Sequence, residues 1–273
     1  MINFDFNFYW EFLLRNPEFL RQNVLEFFRS PFGIGGVLLV LLALIYYIFN
    51  IIWESAKKDM AKTLLLTSAG MQMKDEIIKL LQKPAEDISL AFIMTASKPF
   101  QDLNYVRVDL DIMKDVGFNI EEVDIDGKTE EQVYKLLEFK DMIFVEGGNT
   151  FYLLNAMRKC NFEKIIRKLL KLGKVYVGVS AGSIVAGKTI QTADKFGTGT
   201  DNATIKLKNL KGLNLVPFDI FCHYQPEYAE IIKQKMPDPK KRAKNLKILT
   251  DEQAILVQGK EIDLIGKGEQ IIV

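Results

Sequence analysis

The sequence predicts an α/β fold: a doubly wound, mostly parallel sheet preceded by an N-terminal membrane helix. From residue 60 onward, short apolar runs of strand type alternate with helical patterns across short connections, which is typical of parallel α/β sheets. Before residue 60, one run of 21 residues carries no charged side chain. Glycine-rich turns follow two of the predicted strands, and sites in such sheets form at the carboxyl ends of strands.

The first 59 residues differ in composition from the rest of the chain. Residues 33–53 form the uncharged run, and as a helix they would reach ~31 Å, close to the ~30 Å hydrocarbon thickness of a bilayer. Aromatic side chains that alternate with charges precede this run, as in an interfacial helix. We therefore expect residues 1–59 to comprise an interfacial helix and a transmembrane helix over 33–53. A fused piece of another membrane protein and a start-site artefact are the alternatives to a native anchor, since Met60 resembles the start of an independent protein.

Residues 60–273 are predicted to form one domain of alternating strands and helices. Strand patterns cover residues 63–67, 89–95, 119–124, 141–145 and 174–179, and helical patterns cover 106–116, 150–159 and 160–172. The tail favours three strands joined by glycine turns, at 254–258, 261–265 and 270–273. The length of this part, 214 residues, lies within the range of one domain.

Composition excludes several functional classes. The net charge of +1 and the lack of a basic stripe with interleaved aromatics argue against nucleic acid as a partner. Two cysteines, Cys160 and Cys222, do not make a disulfide framework and suit a reducing compartment. A single histidine excludes a histidine-rich metal site. We therefore expect neither a metal nor a cofactor.

The segment Gly178-Val179-Ser180-Ala181-Gly182 carries the strongest chemical signal. It is a G-x-S-x-G motif between a buried-strand pattern and residues that can start a helix. A nucleophilic serine on such a sharp turn needs small neighbours, because the chain comes close to itself there. A chance glycine turn is the alternative, since the pentapeptide alone is common. The motif predicts Ser180 as a nucleophile.

The groups that would assist Ser180 are fewer. A serine hydroxyl needs a base, and the one histidine, His223, ends an apolar run downstream of the serine. A third group should hold the imidazole, and Asp194, Asp201 and Glu227 are all candidates that the residues alone do not rank.

Backbone N–H groups should bind the developing oxyanion. One is expected from Ala181, the residue after the nucleophile. A second is expected from the turn Gly147-Gly148, which follows another strand and lets the backbone approach a substrate. The same turn also suits the start of a helix, with Asn149 or Thr150 as its N-cap.

At these residues the chain resembles the dipeptidase E (aspartyl dipeptidase) and cyanophycinase family of serine peptidases. The resemblance rests on DMIFVEGGNTFYLL at 141–154, on KVYVGVSAGSIVAG at 174–187, on the stretch around His223 and on the tail near residues 249–254. It spans about residues 62–273 and implies a fold similar to the class I glutamine amidotransferase domain, with serine in place of cysteine.

The resemblance also implies roles for single residues. Ser180 matches the nucleophile and His223 the base, while Gly148 and Ala181 match the oxyanion region, with Gly147 adjacent to it. The acidic member of the dipeptidase E triad falls at about Asp194 or the next residue, Lys195. Dipeptidase E also has an arginine near the position of Gln191, so the resemblance does not carry aspartyl specificity over to this chain.

The sequence therefore predicts a serine-type peptidase, a hydrolase that cleaves small peptides through a Ser180-His223-Asp194 triad and an acyl-enzyme. A catalytically silent, membrane-tethered binding domain on the same fold is the alternative from another class, and an amidase acting on a non-peptide substrate is a third. The expected partners are a small peptide and, through residues 1–59, the membrane, with a homodimer left open. The catalytic domain is expected in the cytoplasm, anchored to the membrane.

Overall fold

The computed structural model describes residues 44–48, 62–195 and 202–273, without the side chains of residues 194, 195 and 204. The chain divides into two units, Met1–Asp59 and Met60–Val273. In the first unit, residues 44–48 are helical. The second unit carries the sheet and the candidate site.

The structure corrects the prediction of an N-terminal membrane helix. Across residues 44–48, 62–195 and 202–273, no helix is both long enough and apolar enough to cross a bilayer. The fold prediction was therefore wrong in including this helix, and the membrane anchoring drawn from it has no support. The rest of residues 33–53, and the interfacial helix expected before them, lie outside the described residues.

Strands of the second unit form two sheets within the described residues. They are β1 (Thr63–Thr67), β2 (Ser89–Ile93), β3 (Asn119–Val123), β4 (Met142–Val145), β5 (Val175–Val179), β6 (Asp219–Phe221), β7 (Leu246–Ile248), β8 (Gln253–Gln258) and β9 (Glu261–Gly266). The larger sheet has the order β3-β2-β4-β5-β1-β8-β9, in which β1 to β5 pair in parallel and β8 and β9 are antiparallel. Strands β6 and β7 form a separate parallel pair. The predicted mostly parallel sheet is confirmed.

Helices cover both faces of the larger sheet. They are α1 (Lys74–Lys79), α2 (Asn104–Val116), α3 (Glu130–Leu137), α4 (Thr150–Lys159), α5 (Phe162–Lys171), α6 (Ala181–Ala186), α7 (Gln191–Lys195), α8 (Asn202–Ile205), α9 (Tyr228–Lys235) and α10 (Pro239–Asn245). Side chains of a strand alternate between faces, so Leu64 and Leu66 pack into one core and Leu65 into the other. All three are fully buried, which explains why the strand reads as a continuous apolar run.

The tail differs from its prediction at one point. Residues 270–273 are described and form no strand. Ile271 and Val273 instead pack against the apolar cluster of the β6–β7 pair, and Arg242 Nε donates to the Val273 carbonyl. Burial of apolar side chains therefore explains the sequence pattern here without a ladder of hydrogen bonds.

Candidate active site

The candidate site lies where the parallel strands end. In the sheet β5 lies between β4 and β1, so the residues that follow these three strands meet at one edge. Ser68 follows β1, the Glu146-Gly147 step follows β4 and Ser180 follows β5. The topology therefore brings the predicted nucleophile beside the predicted glycine turn.

Ser180 occupies a strained turn between β5 and α6. Its φ is 46° and its ψ is −106°, a conformation that a non-glycine residue rarely adopts and that is common at functional sites. Its N–H donates to the Thr67 carbonyl at 3.0 Å, which ties the turn to the end of β1. The sharp strand-to-helix turn expected for a nucleophile is present.

The glycines of the motif are required by close packing. A Cβ at Gly182 would lie 2.1 Å from the Val145 carbonyl oxygen, and one at Gly178 would lie 2.7 Å from the Gly182 carbonyl carbon. Real Cβ atoms do not come so close to backbone. The structure thus gives the physical reason for glycine at both ends of the pentapeptide.

The imidazole of His223 bridges the serine and a carboxylate. Its Nε2 lies 2.9 Å from Ser180 Oγ, and its Nδ1 lies 2.7 Å from Asp251 Oδ1. Ser68 supports this arrangement, because its hydroxyl donates to Asp251 Oδ1 at 2.8 Å and accepts a hydrogen bond from the backbone N–H of His223 at 2.8 Å. A serine, a histidine and an aspartate in this order have the geometry of a nucleophile, a base and an orienting acid.

Two features of the topology bring Asp251 to His223. Strands β6 and β7 are parallel, so their carboxyl ends deliver His223 and Asp251 to the same place. The segments that follow β6 and β7 are hydrogen-bonded to each other. The Leu249 N–H donates to Phe221 O at 2.8 Å, and the Tyr224 N–H donates to Leu249 O at 3.0 Å. Strand β8 runs antiparallel to β1, so its first residues, just after Asp251, lie at the edge where β1 ends.

Sequence reasoning missed Asp251. The carboxylates weighed were Asp194, Asp201 and Glu227; Asp201 and the Asp194 side chain lie outside the described residues, and Glu227 is exposed at the start of α9. The signal for Asp251 was its place inside the tail that carries the family resemblance, shortly after the strand-like stretch Leu246-Lys247-Ile248-Leu249. It comes after the histidine in the chain, whereas the favoured candidates stood before it.

The predicted oxyanion turn lies against the nucleophile. A Cβ at Gly147 would lie 3.2 Å from Ser180 Cβ and 3.9 Å from its Oγ. The Gly147 N–H donates to Glu146 Oε1 at 2.7 Å. Gly148 has φ +134° and a Cβ there would lie 2.4 Å from the Ala96 carbonyl oxygen, so the turn needs glycine. Ala181 begins α6, and the first N–H groups of a helix have no partner within it.

A cavity of about 700 Å³ opens beside the serine and histidine, within the ~300–1,000 Å³ range of small-molecule sites. Besides Asp102 and Asp251, its wall includes Asp109 from α2 and Glu146 from the end of β4. Burial raises the pKa of Asp109, and burial together with the Asp109 charge raises the pKa of Glu146 well above its ordinary range. Sequence reasoning assigned no role to either group. Within the described residues, no cluster of three metal-ligating side chains suits an ion.

Comparison with known proteins gives these residues a family context. Residues 64–265 match the model described as Peptidase family S51. An uncharacterized peptidase of Listeria monocytogenes is 30% identical over 177 residues, which are 64% of this chain and 84% of that protein. A peptidase E of a Nostoc species is 29% identical over 171 residues, which are 60% of this chain and 66% of that protein.

Solved structures share the fold. A Listeria monocytogenes crystal structure assigned as a peptidase E protein superposes with a TM-score of 0.65 at 26% identity, and the match covers 76% of this chain and 100% of that one. A peptidase from an acI-B1 actinobacterium superposes with a TM-score of 0.51 at 14% identity, covering 76% of this chain and 88% of that one. The second likeness bears on the fold alone.

Proposed function

This chain belongs to peptidase family S51 and is a serine-type peptidase, and we propose that it hydrolyses small peptides through an acyl-enzyme formed on Ser180. The observation that carries the proposal is the 2.9 Å distance between Ser180 Oγ and His223 Nε2 at a strained strand-to-helix turn. A base in hydrogen-bonding reach of a serine is what activates the hydroxyl as a nucleophile.

The first half of the reaction forms the acyl-enzyme. His223 Nε2 accepts the proton of Ser180 as Oγ attacks the peptide carbonyl, and the same nitrogen then protonates the leaving amine as the C–N bond breaks. Asp251 accepts the Nδ1–H bond, so the ring keeps the tautomer whose Nε2 is free to accept a proton. We assign this role to Asp251 in place of Asp194.

The oxyanion is bound by backbone N–H groups. Ala181, at the free end of α6, and Gly148, in the adjacent turn, are the proposed donors. The Gly147 N–H is engaged by Glu146, which supports Gly148 as the donor from that turn. In the second half of the reaction, water deprotonated by His223 attacks the acyl carbonyl and releases the acid, and Ser180 regains its proton.

Replacement of Ser180 tests the proposal. The full chain should be labelled by a fluorophosphonate and should cleave members of a dipeptide panel, and Ser180→Ala should abolish labelling and lower turnover by about 10⁴-fold or more. Ser89→Ala is the matched control. Ser89 is the first residue of β2, at the end of the parallel strands opposite to Ser180, so this variant should be labelled like the wild type. Turnover by Ser180→Ala within tenfold of the wild type would rule out Ser180 as the nucleophile.

A further inference from the structure

The cavity beside Ser180 has an acidic wall. Asp102, Asp109 and Glu146 line it in addition to Asp251, and among its described lining residues there is no lysine or arginine. A cleft lined by one sign of charge raises the local concentration of ligands with the opposite charge. This cavity therefore favours a cationic ligand and disfavours an anionic one.

Asp109 and Glu146 form a carboxyl pair within this wall. Glu146 is 1% exposed, and its Oε2 has no hydrogen-bond donor among the described residues. Asp109 lines the same cavity and is partly exposed, and its charge contributes to the raised pKa of Glu146. Two interacting carboxyls in one wall cannot both be charged without cost, so one of them holds a proton. A proton on Glu146 leaves the more exposed Asp109 as the anion that meets a ligand.

The pair lies close to the nucleophile. Glu146 Oε1 accepts the Gly147 N–H at 2.7 Å, and a Cβ at Gly147 would lie 3.9 Å from Ser180 Oγ. With ordinary backbone geometry, these contacts keep Oε1 within about 9 Å of Oγ. A group bound at the pair therefore belongs to the residue whose carbonyl Ser180 attacks, or to its immediate neighbour.

We propose that Asp109 binds a protonated amine on the residue that supplies the acyl group, with Glu146 as a positioning residue behind it. This inference rests on the proposed peptidase function and names its substrate class. The amine is either the α-amine of an N-terminal residue or the side chain of a basic residue. Apolar side chains beside Asp109, those of Val108 and Ile112, line the same cavity and can pack against the alkyl part of the substrate.

Asp109 also has a structural contact that must be separated from this role. Its carboxylate accepts the Met71 N–H at 3.2 Å, and Gly70 leaves room for it, since a Cβ there would lie 1.9 Å from Oδ2. Asparagine keeps the size of aspartate and one oxygen that can accept the Met71 N–H, while it removes the charge and replaces the other oxygen with an NH2 donor. Asp109→Asn is therefore the informative change.

The test compares four dipeptides with the full chain: lysyl-alanine and norleucyl-alanine, each with a free and an acetylated N-terminus. Removing the amine that Asp109 binds, either by changing lysine to norleucine or by acetylating the N-terminus, should lower kcat/KM. We expect the ratio of kcat/KM with this amine to kcat/KM without it to be at least about tenfold, the size of a charge-assisted hydrogen bond. Asp109→Asn should lower that ratio by about tenfold, mainly through KM. Asp111→Asn removes the same charge from the exposed face of α2, where the side chain is 76% exposed, and should leave the ratio unchanged.

The pattern of results identifies the source of the amine and separates the two proposals. Loss of the preference on acetylation assigns the α-amine, and loss on changing lysine to norleucine assigns the side chain. Hydrolysis that depends on Ser180 but ignores the amine, or an Asp109→Asn variant that keeps the preference, overturns this inference and leaves the peptidase function intact. If none of the four is cleaved, calorimetric binding to Ser180→Ala must show the same order, and equal or absent binding overturns it.

Discussion

Asp251 offers the most discriminating test of the proposed mechanism. Asparagine at this position keeps the shape of the side chain, but its amide can donate to His223 Nδ1. The ring would then carry its proton on Nε2, facing Ser180 Oγ, and could not accept the serine proton. The substitution Asp251→Asn therefore removes the base without removing the histidine.

The structure sets the magnitude of this effect. In a triad with a buried acid, the same change lowers kcat about 10⁴-fold. Here the His223 and Asp251 side chains are 52% and 41% exposed, so water screens the charge and gives the ring other partners. The 2.7 Å contact between Nδ1 and Oδ1 still selects the tautomer. We expect kcat to fall about 10³-fold, which is about 4 kcal/mol of transition-state stabilisation, with KM changed by less than about threefold.

Steady-state kinetics on a peptide whose cleavage requires Ser180 provides the assay. Asp194→Asn is the matched control, since it removes the same charge from the acid that the sequence favoured, and its kcat should stay within about threefold of the wild type. An Asp251→Asn variant with more than a tenth of wild-type kcat, together with a large loss in Asp194→Asn, would refute the assignment. Circular dichroism of both variants would show that the fold is kept.

Two other substitutions probe the packing and the electrostatics of the site. Gly182→Ala places a Cβ 2.1 Å from the Val145 carbonyl oxygen, so the free energy of unfolding should fall by about 3 kcal/mol or more. Gly127→Ala places its Cβ in open space and should lower the free energy of unfolding by only about 1 kcal/mol. Equal losses in urea unfolding would contradict the packing argument. Burial and the Asp109 charge raise the pKa of Glu146, and the substitution Glu146→Gln removes this titrating group. The folded wild type holds this proton at a pH where the unfolded chain has lost it, so its stability falls as the pH rises above the ordinary glutamate range. Relative to wild type, the glutamine variant should therefore gain stability as the pH rises above the ordinary glutamate range, and a difference that stays constant with pH would disprove the linkage.

Much of the fold could be predicted because its signals are local. The strand at 63–67 reads as a continuous apolar run since Leu64, Leu65 and Leu66 are buried on both faces of the sheet. The helix at 150–159 begins where Asn149 accepts the Tyr152 N–H at 2.8 Å, as a residue of this type does at an N-cap. The prediction of a strand at 270–273 was wrong, because an apolar run does not reveal whether its backbone joins a sheet or its side chains only pack against another element.

The membrane helix illustrates a different limit. A run without charge predicts that a helix, if formed, would be stable in a bilayer, and it says nothing about how long that helix is. Across residues 44–48, 62–195 and 202–273, no helix is both long and apolar enough to cross a membrane.

By itself the sequence determined the mostly parallel α/β sheet, and it predicted Ser180 as the nucleophile and His223 as its base. These features depend on neighbours along the chain: small residues around Ser180, an apolar run before His223, and alternating strand and helix patterns. Only the tertiary structure brought Asp251 to the imidazole and gathered acidic side chains around one cavity. Asp251 reaches His223 because β6 and β7 are parallel and β8 is antiparallel to β1, and Asp109 and Glu146, from distant parts of the chain, line the same cavity. Contacts between residues far apart in the chain follow from strand order and direction, which no local pattern contains.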